Sequence, residues 1–263
     1  MEIKKQDFAQ TLARGLACLD VLAAAPAPST ASEVAAATGV HRASARRILL
    51  TLENLGYVNE RQGRFTSSPK VLALGRGLLS KMSLWSAVTP EVVSLANLVN
   101  EPCSISVLDN LSILFVVRDS TRRIYTSRLG VGDRLPAHCS ASGKVLLAAL
   151  THSELERRLD GVQLEKRGPK SITDKKKLEV ALAAVQEAGY ATAVDEMEEG
   201  TLSISVPLHE RTGRVVAAIS VASHISRISA SELESKVLPK LKSTARMIEL
   251  TIGDFQDRGF GIL

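Results

Sequence analysis

Two helical stretches that meet at a single glycine constrain the first third of this chain more than any other feature. ASEVAAAT (31–38) and the run from about Arg42 to Leu55 flank Gly39-Val40, a tight turn at the residue type that accepts positive φ. Ser29, Thr30 or Ser32 can cap the first stretch, with Glu33 near its positive end. In the second, Ala45, Ile48, Leu49, Leu52 and Leu55 recur at helical spacing as a buried stripe, and Gly56 closes it. A preceding helix over 9–25 carries Leu12, Leu16, Leu19 and Leu22 and stops at Pro26 and Pro28. Beyond Gly56, the β-prone runs Tyr57-Val58 and Arg64-Phe65-Thr66 around Gln62-Gly63 predict a small hairpin. This order is the layout of a winged helix-turn-helix, whose third helix lies in a major groove while the hairpin touches the backbone. The face opposite the apolar stripe carries Ala43, Arg46, Arg47, Leu50 and Thr51, with Arg42 and Ser44 beside it and Arg61 and Arg64 on the wing. Arginine suits guanine edges or phosphate, and serine suits phosphate. A solvated basic face is the alternative for any one of these arginines, and the trihelical pattern with a basic wing argues against it.

Charge agrees with that reading. Through Ser80 the chain holds ten basic against six acidic residues, and beyond it 23 against 22, so nearly all of the formal +5 lies in the first third, where a polyanion would dock. Three cysteines are too few for a disulfide framework or a cysteine-rich zinc site. No apolar run approaches the roughly 18 residues of a membrane span, and no export signal precedes the first helix, so no membrane role and a cytoplasmic location are expected. Residues 1–67 form the winged unit in this reading, and 68–83 a linker helix with Pro69 in its first turn. The remainder, 84–263, is α+β. It has helices over 88–100, 140–160 (one or two pieces), 174–188 and 230–253. Its strands cover 103–108, 112–118, 122–129, 189–194, 202–208 and 214–222, with hairpin turns at Asp109-Asn110 and Thr212-Gly213.

Several short patterns in the second part bear on chemistry. Ser140-Ala141-Ser142-Gly143-Lys144 has the look of a phosphate loop, but His138 and Val145 stand where a Walker A motif needs glycine and a hydroxyl, and Ala141 stands where an acyl-enzyme SxxK motif needs serine. A helix N-terminus with exposed N–H groups remains, suited to an anion or simply packed on a sheet. The run Asp195–Glu199 suits a hard cation or, more commonly, a solvated loop. His138-Cys139 lacks partner ligands and reads as core, as do Cys18 and Cys103, while Trp85 reads as a packing anchor between domains. No metal or cofactor is implied. Ser203-Ile204-Ser205-Val206 alternates a small polar face with an apolar one, the polar face being either a ligand wall or a solvated surface.

The segment EVAAATGVHRASARR (33–47) resembles the DNA-binding domain of the IclR (isocitrate lyase regulator) family of bacterial transcription factors. GVGDRLPAHCSASGKVLLAAL (130–150), GYATAVDEMEEGTLSISVPL (189–208) and GRVVAAISVASHISRIS (213–229) are similar to that family's effector-domain blocks, in the same order, and their wording is nearest the branch controlling aromatic-acid breakdown through the β-ketoadipate pathway. The resemblance implies a GAF-like effector domain, an antiparallel sheet flanked by helices. It implies a regulator that is not an enzyme, binding double-stranded DNA at a palindromic operator as a homodimer or homotetramer under control of a small carboxylate effector. Carried over by position, it puts the effector between Ala137, Ser140, Ala141, Ser142 and Gly143 on one side and Asp195, Ser203, Ser205, Ser220 and Ala222 on the other. An enzyme converting a small acid, with a regulatory N-terminal part, is the competing reading; it lacks an acid–base pair, nucleophile or metal set at usable spacing.

Overall fold

The computed structural model describes residues 8–71, 83–119 and 129–257. The chain divides into two compact units, Met1–Ser80 and Lys81–Leu263. Among the described residues no helix is long and apolar enough to cross a membrane.

In the first unit, helix α1 (Gln10–Ala24) leads through a short strand, β1 (Ser29–Thr30), into α2 (Ala31–Thr38), which Gly39 ends in the left-handed conformation at φ 68°. Helix α3 (Arg42–Asn54) follows, then β2 (Val58–Arg61) and β3 (Arg64–Ser67). The helices bury one contiguous core of Cys18, Leu19, Leu22, Val34, Leu49, Val58 and Phe65. Strand β1 adds to the hairpin by pairing Ser29 with Phe65 and Thr30 with Arg64. A capping box fixes the start of α2: the Glu33 N–H donates to the Thr30 hydroxyl at 3.3 Å, and the Thr30 N–H donates to the Glu33 carboxylate at 2.6 Å. These bonds hold the Glu33 carboxyl below its usual range. Thr30→Ala removes the cap and is expected to destabilise this unit by about 1 kcal/mol, read as a lower urea midpoint with an unchanged slope. The linker helix read at 68–83 falls mainly outside the described residues, as does the strand read at 122–129.

The second unit is a six-stranded antiparallel sheet between two helical layers. Its strands are β4 (Cys103–Asp109), β5 (Ser112–Arg118), β6 (Arg134–Pro136), β7 (Ala191–Val194), β8 (Thr201–His209) and β9 (Val215–His224), ordered β6-β5-β4-β9-β8-β7. One face packs Ile105, Ile204, Val206, Ile219 and Val221 against α4 (Ser83–Val99) and the C-terminal α8 (Leu238–Asp257). The opposite face is covered by α5 (Ala141–Ala148) and, beyond it, α7 (Lys175–Ala188). Helix α6 (His152–Leu159) follows α5 directly, so the 140–160 stretch is two helices, each with its own capping residue, Ser140 and Thr151.

Three expectations shift. Helix α4 reaches back to at least Ser83 rather than 88, with Pro90 inside it. Strand β7 starts at Ala191, because Gly189 is the left-handed cap of α7. Trp85 is 3% exposed inside the core of the second unit, beside Val88 and Val92.

Candidate functional site

On α3 the residues one turn apart sort cleanly. Ala45 and Leu49 are fully buried, while Arg42, Ala43, Arg46, Arg47, Leu50 and Thr51 are exposed and Ser44 is half-buried. Ala43, Arg46, Arg47, Leu50, Thr51 and Asn54 line a shallow open groove along the helix. Among the described residues no carboxylate lies within ion-pair distance of Arg42, Arg46, Arg47 or Arg61. The Thr51 hydroxyl is turned back onto the Arg47 carbonyl at 2.9 Å. Arg64 differs from the other arginines: its Nη1 donates to the Pro28 carbonyl at 2.9 Å and lies 3.9 Å from Glu33, so it braces the wing against the start of α2.

The second candidate site forms where α5 crosses the sheet. Ser140 caps α5, its hydroxyl accepting the Gly143 N–H at 3.1 Å. A Cβ on Gly143 would lie 2.1 Å from the Ala137 carbonyl oxygen, so this position must be glycine for the turn Ala137–Cys139 to cross it. Beneath lies a shelf of small side chains in cross-strand rows. One row is Ala191, Ser205, Ser220 and Ser104; the next is Ala193, Ser203 and Ala222. Ser203, Ser205 and Ser220 are all buried, so the polar face of β8 is not a solvated surface. Ser205 donates to the Ile219 carbonyl at 2.8 Å and reaches the Ser142 hydroxyl at 3.5 Å; Ser104 and Ser220 are 3.1 Å apart. The Ser106 hydroxyl, fully buried nearby on β4, has no partner among the described residues.

Asp195 adopts φ 56° at the end of β7, where its carboxylate accepts the Gly200 N–H at 2.7 Å and lies 3.0 Å from Lys170 Nζ. Lys170, then the Gly200 N–H, hold its carboxyl below the usual range. The next residue of the acidic run is not solvated. Glu196 is 8% exposed and pairs with the buried Lys144 of α5 at 2.6 Å, leaving its Oε2 unpartnered. Lysine and glutamate 52 positions apart carry no local signal of pairing; an acidic run facing a lysine inside an otherwise apolar helix is the only hint. His138 Nε2 lies 2.8 Å from the Glu165 carbonyl, and burial raises the Cys139 thiol pKa. Among the described residues no cluster of three or more His, Cys, Asp or Glu is arranged for a metal ion.

Comparison with known proteins matches this architecture in both units. The family model for the C-terminal part of the bacterial transcriptional regulator IclR matches residues 76–250, and that for the IclR helix-turn-helix domain matches residues 11–62. The chain belongs to the IclR family. It is 33% identical to the Pca regulon regulatory protein of Pseudomonas putida, over 91% of this chain and 83% of that one. The crystal structure of a transcriptional regulator from a Rhodococcus species superposes with a TM-score of 0.77 at 37% identity, covering 93% of this chain and 98% of that one. The inducer-binding domain of an Acinetobacter PobR double mutant, in complex with 3-hydroxybenzoic acid, gives 0.59 at 28% identity, covering 62% and 96%. Family and relatives alike are transcriptional regulators, not enzymes. This IclR-family chain therefore joins a DNA-binding unit to a sensor unit.

Proposed function

We propose that this regulator senses a small aromatic carboxylate, or a β-ketoadipate-pathway intermediate, in the shelf beneath α5, and reads a palindromic operator in the cytoplasm as a homodimer or homotetramer. One observation carries the effector reading. At the buried start of α5 the Ser140 side chain satisfies the Gly143 N–H, while no acceptor among the described residues takes the N–H of Ala141 or Ser142. Orphan donors at a helix start, with the macrodipole behind them, favour a carboxylate without a dedicated arginine. Ser142 on α5, with Ala137 and Ala141, lies over the sheet row of Ser205 and Ser220 and the neighbouring row of Ser203 and Ala222, supplying hydroxyl partners among small side chains, and Asp195 follows β7 beside the Ser203 row. The hydroxybenzoate complex of the PobR domain supports the ligand class. Exposed Leu12 and Leu16, one turn apart on α1, with exposed Phe8 just before the helix, support self-association of the first unit. A two-fold assembly reads a two-fold operator.

Calorimetric titration of the full chain with hydroxybenzoates and their amides tests the effector site. The acids are expected to bind at least about tenfold more tightly, since charge-assisted hydrogen bonds are about twice as strong as neutral ones. Ser142→Asp puts a like charge at the helix start and should remove acid binding at the shelf, with a melting curve that still shows a cooperative transition. Equal binding of acid and amide, or normal acid binding by the variant, would place the effector elsewhere.

A further inference from the structure

The middle of the sheet is not continuous. Strands β4 and β9 pair from Cys103↔Val221 to Ser106↔Ala218, and there the ladder stops. Beyond it β4 remains paired with β5, and β9 with β8, through a register shift at Leu208/His209. A cavity of about 320 Å³ occupies the parting. Its lining shows the split directly. Val107 and Val216 belong to the core on one face of the sheet, and Leu108 and Val215 to the core on the other, yet all four line this one space. An unbroken ladder keeps such alternate residues on opposite sides. The last turn of α5 and the residues just after it close the space with Leu146, Ala149 and Leu150.

Two guanidiniums stand at the mouth, and their engagements differ. Arg214 is spent on Glu210, through Nε at 2.8 Å and Nη2 at 3.2 Å. Arg158 is half-buried and held in place by one bond, Nη1 to the Asn110 carbonyl at 2.8 Å. No carboxylate among the described residues lies within ion-pair distance of it, and Glu154 attracts it only from farther off. Glu154, the acidic group in the lining, is turned onto the N–H and hydroxyl of Thr151, which hold its carboxyl below the usual range. An anchored planar fork with unused N–H donors, above a space that apolar side chains and polar groups line about equally, near the lower end of small-molecule pockets, matches a carboxylate on a compact body with an apolar side.

We propose that the parting of β4 and β9 is a second binding site, for a small monocarboxylate with an apolar body, anchored by Arg158. It is distinct from the shelf and does not rest on it: the shelf lies at the N-terminal end of α5 and this cavity at its C-terminal end.

The test uses sodium benzoate as probe and the full-length chain. In the Ser142→Asp background one saturable benzoate site per chain is expected to remain. Adding Arg158→Gln should weaken it at least about tenfold, the worth of one charge-assisted pair. Leu150→Phe, which fills the space and keeps the charge, should do the same, and Arg158→Lys should recover part of the loss. Benzamide should fail to compete. Melting curves confirm that each variant is folded. Absence of saturable binding in the Ser142→Asp chain overturns the proposal, as does unchanged binding in folded Arg158→Gln and Leu150→Phe variants. If Ser142→Asp alters nothing while Arg158→Gln removes a site, the shelf reading fails and this one stands.

Discussion

Lys144→Met is expected to lower the stability of the sensor unit by about 3–5 kcal/mol, because it leaves the Glu196 carboxylate buried without its cation. Both side chains are at least nine-tenths buried and 2.6 Å apart, and the remaining Glu196 oxygen already has no partner among the described residues. For a unit of this size the loss corresponds to a melting point lower by about 10 °C. Calorimetric melting of the parent, Lys144→Met, Glu196→Leu and the double variant would form a complete cycle. Each single change should be severe, and the double variant should recover most of the loss or exceed the parent, since well-packed apolar replacements of buried ion pairs are often neutral or stabilising. Additive losses in the double variant would show that the pair is not coupled as the geometry requires.

Arg46→Ala with Arg47→Ala should weaken operator binding at least about thirtyfold at fixed salt, because each bidentate base contact contributes roughly 1–3 kcal/mol. Both guanidiniums are exposed on α3, beside the open groove, with no carboxylate partner among the described residues. Their removal touches neither Ala45 nor Leu49, so melting and self-association should stay unchanged. Arg61→Ala should lower the slope of log affinity against log salt by about one, the signature of a single phosphate contact. Gel-shift titrations across a salt series check both. Full affinity in the double arginine variant would remove α3 from the groove.

Legibility from sequence followed the range of the interactions. The turn at Gly39, the Thr30–Glu33 cap and the hairpin at Gln62-Gly63 are encoded within four residues, and the structure realises them there. The alternation in Ser203–Val206 was readable, but which of its faces is covered depends on α5, which belongs to another part of the chain. Strands β1 and β6 have two and three residues, too short for a period of two to show. The bracing of the wing by Arg64 is not legible, because its partner, the Pro28 carbonyl, is a main-chain group without a sequence signature. The pairing of Lys144 with Glu196 and the parting of β4 from β9 are properties of the assembled sheet.

The crossing of Gly143 over Ala137 has a mechanical meaning. A residue with even one methyl group would not fit there, so backbone bears on backbone with no flexible side chain between. Such a joint cannot absorb motion by swinging a rotamer. If a molecule bound at either end of α5 nudges it by a few tenths of an ångström, the turn at Ala137 must travel with it, and with the turn goes Pro136, the last residue of the edge strand β6. The helix then behaves as a stiff rod rather than a cushion, and its displacement is handed on to the border of the sheet.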